Sequence, residues 1–400
     1  MGRSPIAKHF KSIHCDARHA SNCFRFFLVK ILITSTGLEG RGGTESFVRC
    51  LARNLESLGH SVMAYGSDPR QHERFLEIDV VPVATDLENL PFTPDVIHAQ
   101  HHLDTMTALT ALPGVPAIYH SHGAVWRGCI VKHPRIYRYL TMSRTSARRI
   151  AIESNIPENE IEVVLNGVEL TRFAKVRTLP AQPARALFYN SRHDRDSETV
   201  AAISEAASKR GLHLDFVGYS FGGLKAEPET FLIDYDIVFA SGVSAIEALA
   251  SGCAVIVLGR TSCGEMVQPE NFDHLRGVNF SIANNSPPPS VEKIEAELRN
   301  YSSERSAKVT ERLRDEADFR KLVTRLVEIY TEAIEKNRTQ TPDMKAESLA
   351  TSQYLRRIVP LIKTTDNMLG RNWSSASRAT SLEELSARVA LLEDELKKKE

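Results

Sequence analysis

The sequence predicts an α/β protein of two doubly wound, Rossmann-like domains with a C-terminal helical extension, and three observations carry that prediction. From Val29 onward short apolar runs alternate with amphipathic helical patterns, the signature of strand–helix–strand units with parallel sheets. The alternation runs to Leu258 and is broken once, by the loop Leu165–Phe173 and the proline-containing stretch Leu179–Pro183. The chain has 400 residues, enough for two or three domains that bury their own cores.

Taken in order, Val29–Thr34 reads as the first strand, and the glycine-rich loop Gly37–Gly43 follows it. Thr44–Leu58 places Phe47, Leu51, Leu55 and Leu58 at helical spacing, and Gly59 ends that helix. Further strands are expected at His60–Tyr65, Asp95–His98, Pro116–His120 and Tyr139–Ser143, the last running into a helix over Arg144–Ser154. These elements make a first domain over 29–170. A second domain, over 171–337, takes strands at Ala186–Tyr189, Leu212–Val217, Asp236–Phe239 and Cys253–Leu258, and helices at Ser197–Lys209 and Ala245–Ala250. Ser303–Asn337 reads as one or two long amphipathic helices that close it. Residues 1–28 are basic and show no period, so a disordered extension is expected there. Residues 338–400 form a helical tail in which Leu382, Leu385, Val389, Leu392 and Leu396 follow the 3-4 spacing of a short coiled coil, a route to self-association.

Composition narrows the function classes. Fifty Lys and Arg balance fifty Asp and Glu, with 42% of residues hydrophobic, which excludes a mostly disordered chain and a uniformly basic nucleic-acid binder. Six cysteines without CxxC pairing point to reduced thiols in a cytoplasmic protein, with no structural metal. The longest apolar run, Phe24–Ile33, is about half a membrane span and contains Arg25 and Lys30. The neutral total hides segregation. Ala117–Ile150 carries Arg127, Lys132, Arg135, Arg138, Arg144, Arg148 and Arg149 with no acid, interleaved with Trp126, Tyr137 and Tyr139. That pattern suits an anionic surface, so peripheral contact at the inner face of a membrane is expected alongside a cytoplasmic location.

Two segments look built to hold an anion. Gly42 and Gly43 lie between a strand and a helix, where backbone N–H groups and the helix dipole attract phosphate. Their spacing is not GxGxxG and no acid ends the second strand, which disfavours a nicotinamide cofactor. The stronger cradle is Phe239–Ile256: a strand, the small-residue turn Ala240–Ser244, a short helix carrying Glu247, and a close at Gly252. Ser241, Gly242, Val243 and Ser244 are the candidate diphosphate contacts. Glu247, one turn into the helix, is placed to accept both hydroxyls of a ribose.

These motifs together resemble the nucleotide-sugar-dependent retaining glycosyltransferases of family 4, whose GT-B fold sets two Rossmann-like domains face to face. The resemblance rests on Gly42–Val62, on His120-Ser-His-Gly123, on Val164–Phe173 with its Asn-Gly-Val hinge, and on Ile246–Val255. It implies a transfer of a sugar from a nucleotide diphosphate donor to a hydroxyl acceptor, a glycan or lipid-linked glycan, with no cofactor beyond the donor substrate. It implies that Gly42 and Gly43 line the donor diphosphate, that His122 hydrogen-bonds the transferred sugar, that Arg192 neutralises the departing diphosphate, and that Glu247 holds the ribose. His120, two residues before His122 on the same strand face, is the alternative for the sugar contact.

Two positions depart from the family pattern. Phe239 stands where the first glutamate of the E-x7-E pair is expected, and Ser197 where a phosphate-binding lysine is expected, with Arg195 as a substitute cation. These departures leave open a degenerate, non-catalytic scaffold that binds nucleotide and recruits a partner through its C-terminal helices; a sugar-nucleotide epimerase is a third reading. Asp194-Arg-Asp196 and Asp234-Tyr-Asp236 spell DxD, but their settings argue against a metal.

Overall fold

The computed structural model describes residues 28–38, 43–67, 82–84, 86–122, 130–191, 193–223, 227–259, 261–282 and 288–365. The extension expected before Leu28 and the leucine repeat over 382–396 lie outside the described residues.

The first domain is a seven-stranded, all-parallel sheet in the order β3-β2-β1-β4-β5-β6-β7. Its strands are β1 (Lys30–Thr34), β2 (Ser61–Tyr65), β3 (Val83–Ala84), β4 (Val96–Ala99), β5 (Ala117–Ser121), β6 (Ile136–Thr141) and β7 (Ile161–Val163). The helices α1 (Gly43–Ser57), α2 (His102–Ala111) and α3 (Arg144–Ser154) connect them. The central strands are buried on both faces, which is why they read as continuous apolar runs. Phe47, Val48, Leu51 and Leu55 form the buried stripe of α1, at the helical spacing read from the sequence.

The second domain has five strands in the order β12-β11-β10-β8-β9, with β12 antiparallel at one edge. They are β8 (Arg185–Tyr189), β9 (His213–Val217), β10 (Ile237–Ala240), β11 (Ala254–Leu258) and β12 (Cys263–Met266). Around them lie α4 (Glu198–Lys209), α5 (Val243–Ala250), α6 (Phe272–Gly277), α7 (Val291–Arg299) and α8 (Ser303–Glu316).

The last long helix corrects one expectation. Helix α9 (Phe319–Thr339) does not close the second domain: Phe319, Leu322, Val323, Leu326, Val327, Ile329, Tyr330 and Ala333 join Ile31, Leu51, Val96 and Ile118 in the core of the first. Each side chain of this kind contributes about 1.5–3 kcal/mol on burial, so the chain is firmly stitched back across the boundary. The crossing needs a close approach. Val168 exchanges backbone hydrogen bonds with Ala317 and Phe319, and a Cβ built on Gly167 would lie 2.9 Å from Phe319 Cα and 3.0 Å from the Ala317 carbonyl. A further helix, α10 (344–365), stays on the first domain. Arg135 pairs with Glu347 at 3.0 Å, and His102 Nδ1 hydrogen-bonds the Tyr354 hydroxyl at 2.8 Å.

The hinge carries its own network. Glu169, 8% exposed, accepts from Arg53 and Asn54 of α1 and from the Cys50 thiol, and pairs with Arg172. Arg172 in turn clamps Glu229 of the second domain through two hydrogen bonds, of 3.0 and 2.7 Å. Asn166 donates to Asn279 at 3.1 Å, and its carbonyl accepts from the buried Arg276.

Candidate active site

In doubly wound sheets ligands bind beyond the carboxyl ends of the strands where the strand order reverses. The first sheet reverses between β1 and β4, and the second between β8 and β10. A hydrogen bond spans each reversal: the Thr36 amide donates to His101 Nδ1 at 3.1 Å, and the Asn190 side chain donates to Ser241 Oγ at 3.3 Å. The two crevices meet. A Cβ built on Gly43 would lie 3.7 Å from Val243 Cγ2 in the other domain.

The turn Ser241–Ser244 is shaped for an anion. Gly242 has φ of 60°, a conformation natural to glycine, and its amide donates to the Phe280 carbonyl at 3.1 Å. No side chain caps the N-terminus of α5, whereas Ser143, Ser197, Ser290, Ser302 and Asp318 cap α3, α4, α7, α8 and α9. The first amides of α5 are thus left for something other than a cap. Helix α2, which opens on the other crevice, also lacks a side-chain cap, and His101 before it has φ of 58°, an unusual backbone for a non-glycine residue.

Glu247 stands one turn into α5. Its Oε2 accepts from the Tyr189 hydroxyl at 3.1 Å, and Ser244 also hydrogen-bonds Tyr189. Burial pushes the Glu247 carboxyl up to about 7; the Tyr189 hydrogen bond and the Arg172 charge oppose that rise and Glu229 adds to it. Arg172, clamped to Glu229, therefore both attracts the ionised form and offsets the nearby repulsion.

On the first-domain side the structure separates the two candidate histidines. His120 is 1% exposed and both of its ring nitrogens lack a partner among the described residues. It stacks behind His122, with ring centroids 4.2 Å apart, and touches no open surface. His122 ends the strand, packs on Phe47 at 4.6 Å and is partly open. Burial, then His120 and His101, hold His122 well below the usual imidazole range, so it is neutral near pH 7 and able to donate a hydrogen bond without adding charge. Deeper in, the His98 ring packs tilted against His120, with centroids 5.4 Å apart, and hydrogen-bonds the Tyr330 hydroxyl of α9 at 2.6 Å.

Gly42 and Arg192 lie outside the described residues. Arg195 is exposed, with its guanidinium 5.5 Å from the Phe221 ring centroid. Phe239 is fully buried beside Phe188 and Ile256, so this position carries packing here. Ser197 serves as the N-cap of α4, accepting from the Val200 amide. Asp236 of the second DxD is tied to Arg177 and to the Ala184 and Arg185 amides, which accounts for it structurally. Sequence reasoning missed Tyr189, Asn190 and His98, which lie on or follow strands already recognised, and Asn279, which follows the short helix α6.

Comparison with known proteins agrees with this geometry. The family model Glycosyltransferase Family 4 matches residues 41–172, which span α1, the histidine strand and the hinge. A glycosyltransferase from Rickettsia africae ESF-5 superposes with a TM-score of 0.56 at 13% identity, covering 77% of this chain and 99% of its own. The lipopolysaccharide outer core galactosyltransferase WaaB, in its apo form, superposes with a TM-score of 0.50 at 13% identity over the same shares. No curated protein matches the chain by sequence. The facing sheets with their apposed crevices, and the family match, define a glycosyltransferase of the GT-B class. The match to the Glycosyltransferase Family 4 model falls within its first domain and the hinge.

Proposed function

We propose that the protein transfers a sugar from a nucleotide-diphosphate-sugar to a hydroxyl acceptor, with retention at the anomeric carbon, in the synthesis of a cell-surface glycan or glycolipid. The observation that carries the reading is the apposition of Gly43 with Val243 at the mouth of two switch-point crevices, one lined by the uncapped α5 and Glu247, the other by His122. In this reading the α5 amides and the Ser241–Ser244 turn receive the diphosphate, and ionised Glu247 accepts the ribose hydroxyls. Arg192 neutralises charge as the leaving group departs, and Arg195 assists from the neighbouring turn. Neutral His122 donates to a hydroxyl of the transferred sugar, and the glycan or lipid-linked acceptor enters from the first domain, beside an anionic membrane face. Such preorganised donors act where charge develops, which is the main lever in phosphate departure.

A thermal-shift screen of nucleotide sugars, followed by calorimetry on the best binder, tests this. A donor that binds raises the melting temperature, and Glu247→Ala is expected to abolish that rise. Binding that survives Glu247→Ala, or no release of nucleoside diphosphate with any donor and acceptor, contradicts the reading.

A further inference from the structure

Helix α10 presents an apolar row to solvent that the transfer chemistry does not use. Met344, Leu355, Val359 and Ile362 fall within about 60° of one another at 100° per residue. They are 61%, 53%, 39% and 52% exposed, and Leu361 is 55% exposed. Ile358 is the last buried residue of the helix; from Val359 to 365 every residue is exposed. An apolar row of this kind on an otherwise polar surface marks a docking face.

Charge identifies the occupant. Residues 348–365 contain Arg356, Arg357 and Lys363 and no acid. The helix is fixed in place by the Arg135–Glu347 pair, the Tyr354–His102 hydrogen bond and the Arg357 contact to the Ile130 carbonyl at 3.2 Å. It is thereby held against the acid-free stretch of the first domain, at Ile130 and Arg135. A second copy of the chain fits poorly, because a two-fold contact through this row would crowd Arg356 and Lys363 of both copies together, while Arg357 turns away to the Ile130 carbonyl. An anionic bilayer satisfies both features at once: acyl chains take the apolar row and phosphate headgroups take the flanking cations. We infer that α10 is the membrane-docking element of the protein, seating the first domain on an anionic lipid surface. This deepens the peripheral contact proposed above by naming the surface that makes it.

Vesicle sedimentation of the full chain tests the inference without any substrate, so it stands or falls apart from sugar transfer. The wild-type protein is expected to pellet with vesicles of phosphatidylcholine and phosphatidylserine, to be released by salt, and to stay in solution with phosphatidylcholine alone. V359E/I362E is expected to lower partition by about tenfold or more, and R356E/K363E to lower it several-fold. All four positions are exposed, so an unchanged melting temperature is expected and confirms that the variants fold. Wild-type protein that ignores anionic vesicles, or V359E/I362E that pellets like wild type, overturns the inference. So does a dimer in analytical ultracentrifugation that V359E/I362E dissociates, since the row would then belong to a second copy.

Discussion

Replacing Glu247 by glutamine separates what this side chain costs the fold from what it offers a ligand. Burial raises the carboxyl from 4.5 to about 7. The folded value lies above the unfolded one, so the folded protein keeps the proton over a range in which the unfolded chain has lost it. Stability therefore falls as pH rises from about 4.5 to about 7, and stays at the lower level beyond. At about 1.4 kcal/mol per pH unit the ceiling is about 3 kcal/mol. Glu247 is partly open to the cleft, and solvent screening brings the expected value to about 1–3 kcal/mol. Glutamine keeps the size and the acceptor for Tyr189 but carries no charge. Glu247→Gln is thus expected to unfold at higher urea than the parent near pH 8, by about 1–3 kcal/mol, and to match it closely near pH 5. The same variant should lose nucleotide binding, because a neutral amide is a weaker acceptor for two ribose hydroxyls. Urea titrations at several pH values, with calorimetry at one of them, measure both effects. Parallel stability curves for the two proteins across that range would refute the buried-carboxyl argument, and undiminished binding would refute the ribose role.

Other outcomes follow from neighbouring features. His98 is held at about 3, and His120 and His122 well below the usual range, mainly by burial. Their folded values lie below the unfolded 6.5, so the stability tied to their neutral forms is complete above about pH 6.5 and is lost as pH falls, by about 2 kcal/mol at pH 5 for His98. His120→Leu is expected to move the acid-unfolding midpoint downward in a circular-dichroism titration; an unmoved midpoint contradicts this. Gly167→Ala should destabilise by about 1–3 kcal/mol, since the new methyl meets backbone of the α8–α9 link that has no side chain to turn aside. A neutral result in thermal melts would show that the link can shift. Glu169→Ala leaves Arg53, Asn54 and Cys50 without their shared acceptor, and a loss of about 3 kcal/mol is expected in urea melts. A loss below about 1 kcal/mol would mean that solvent replaces the pairing.

Much of the scaffold was legible because both sheets are dominated by buried parallel strands. Val29–Thr34, Ala186–Tyr189 and Cys253–Leu258 were read within one residue of β1, β8 and β11, and Arg144–Ser154 is helix α3 as read. The antiparallel β12, with Gly264 and Glu265 in it, and the two-residue β3 offer no period to find. The turn and Glu247 were legible as a strand-to-helix motif in small residues. The surroundings that set the Glu247 carboxyl were not, because Tyr189 lies 58 residues away and Arg172 and Glu229 sit on other segments. The choice between His120 and His122 was also closed to sequence. Strand alternation puts both on one face, and only the depth of the strand end under Phe47 tells them apart. Helix α9 was correctly read as amphipathic, but its period does not say which domain its apolar face enters.

That last helix has a consequence for anyone dividing the molecule. The polypeptide passes between the domains twice, once at Asn166–Phe173 and again at Ala317–Phe319. A fragment ending at the first passage would expose the groove that eight side chains of α9 fill, and would need that helix supplied from elsewhere. The second domain, by contrast, is an insertion bounded by two adjacent strands of backbone. It is the natural unit to excise, exchange or express alone, with its ends already brought together at Val168 and Asp318.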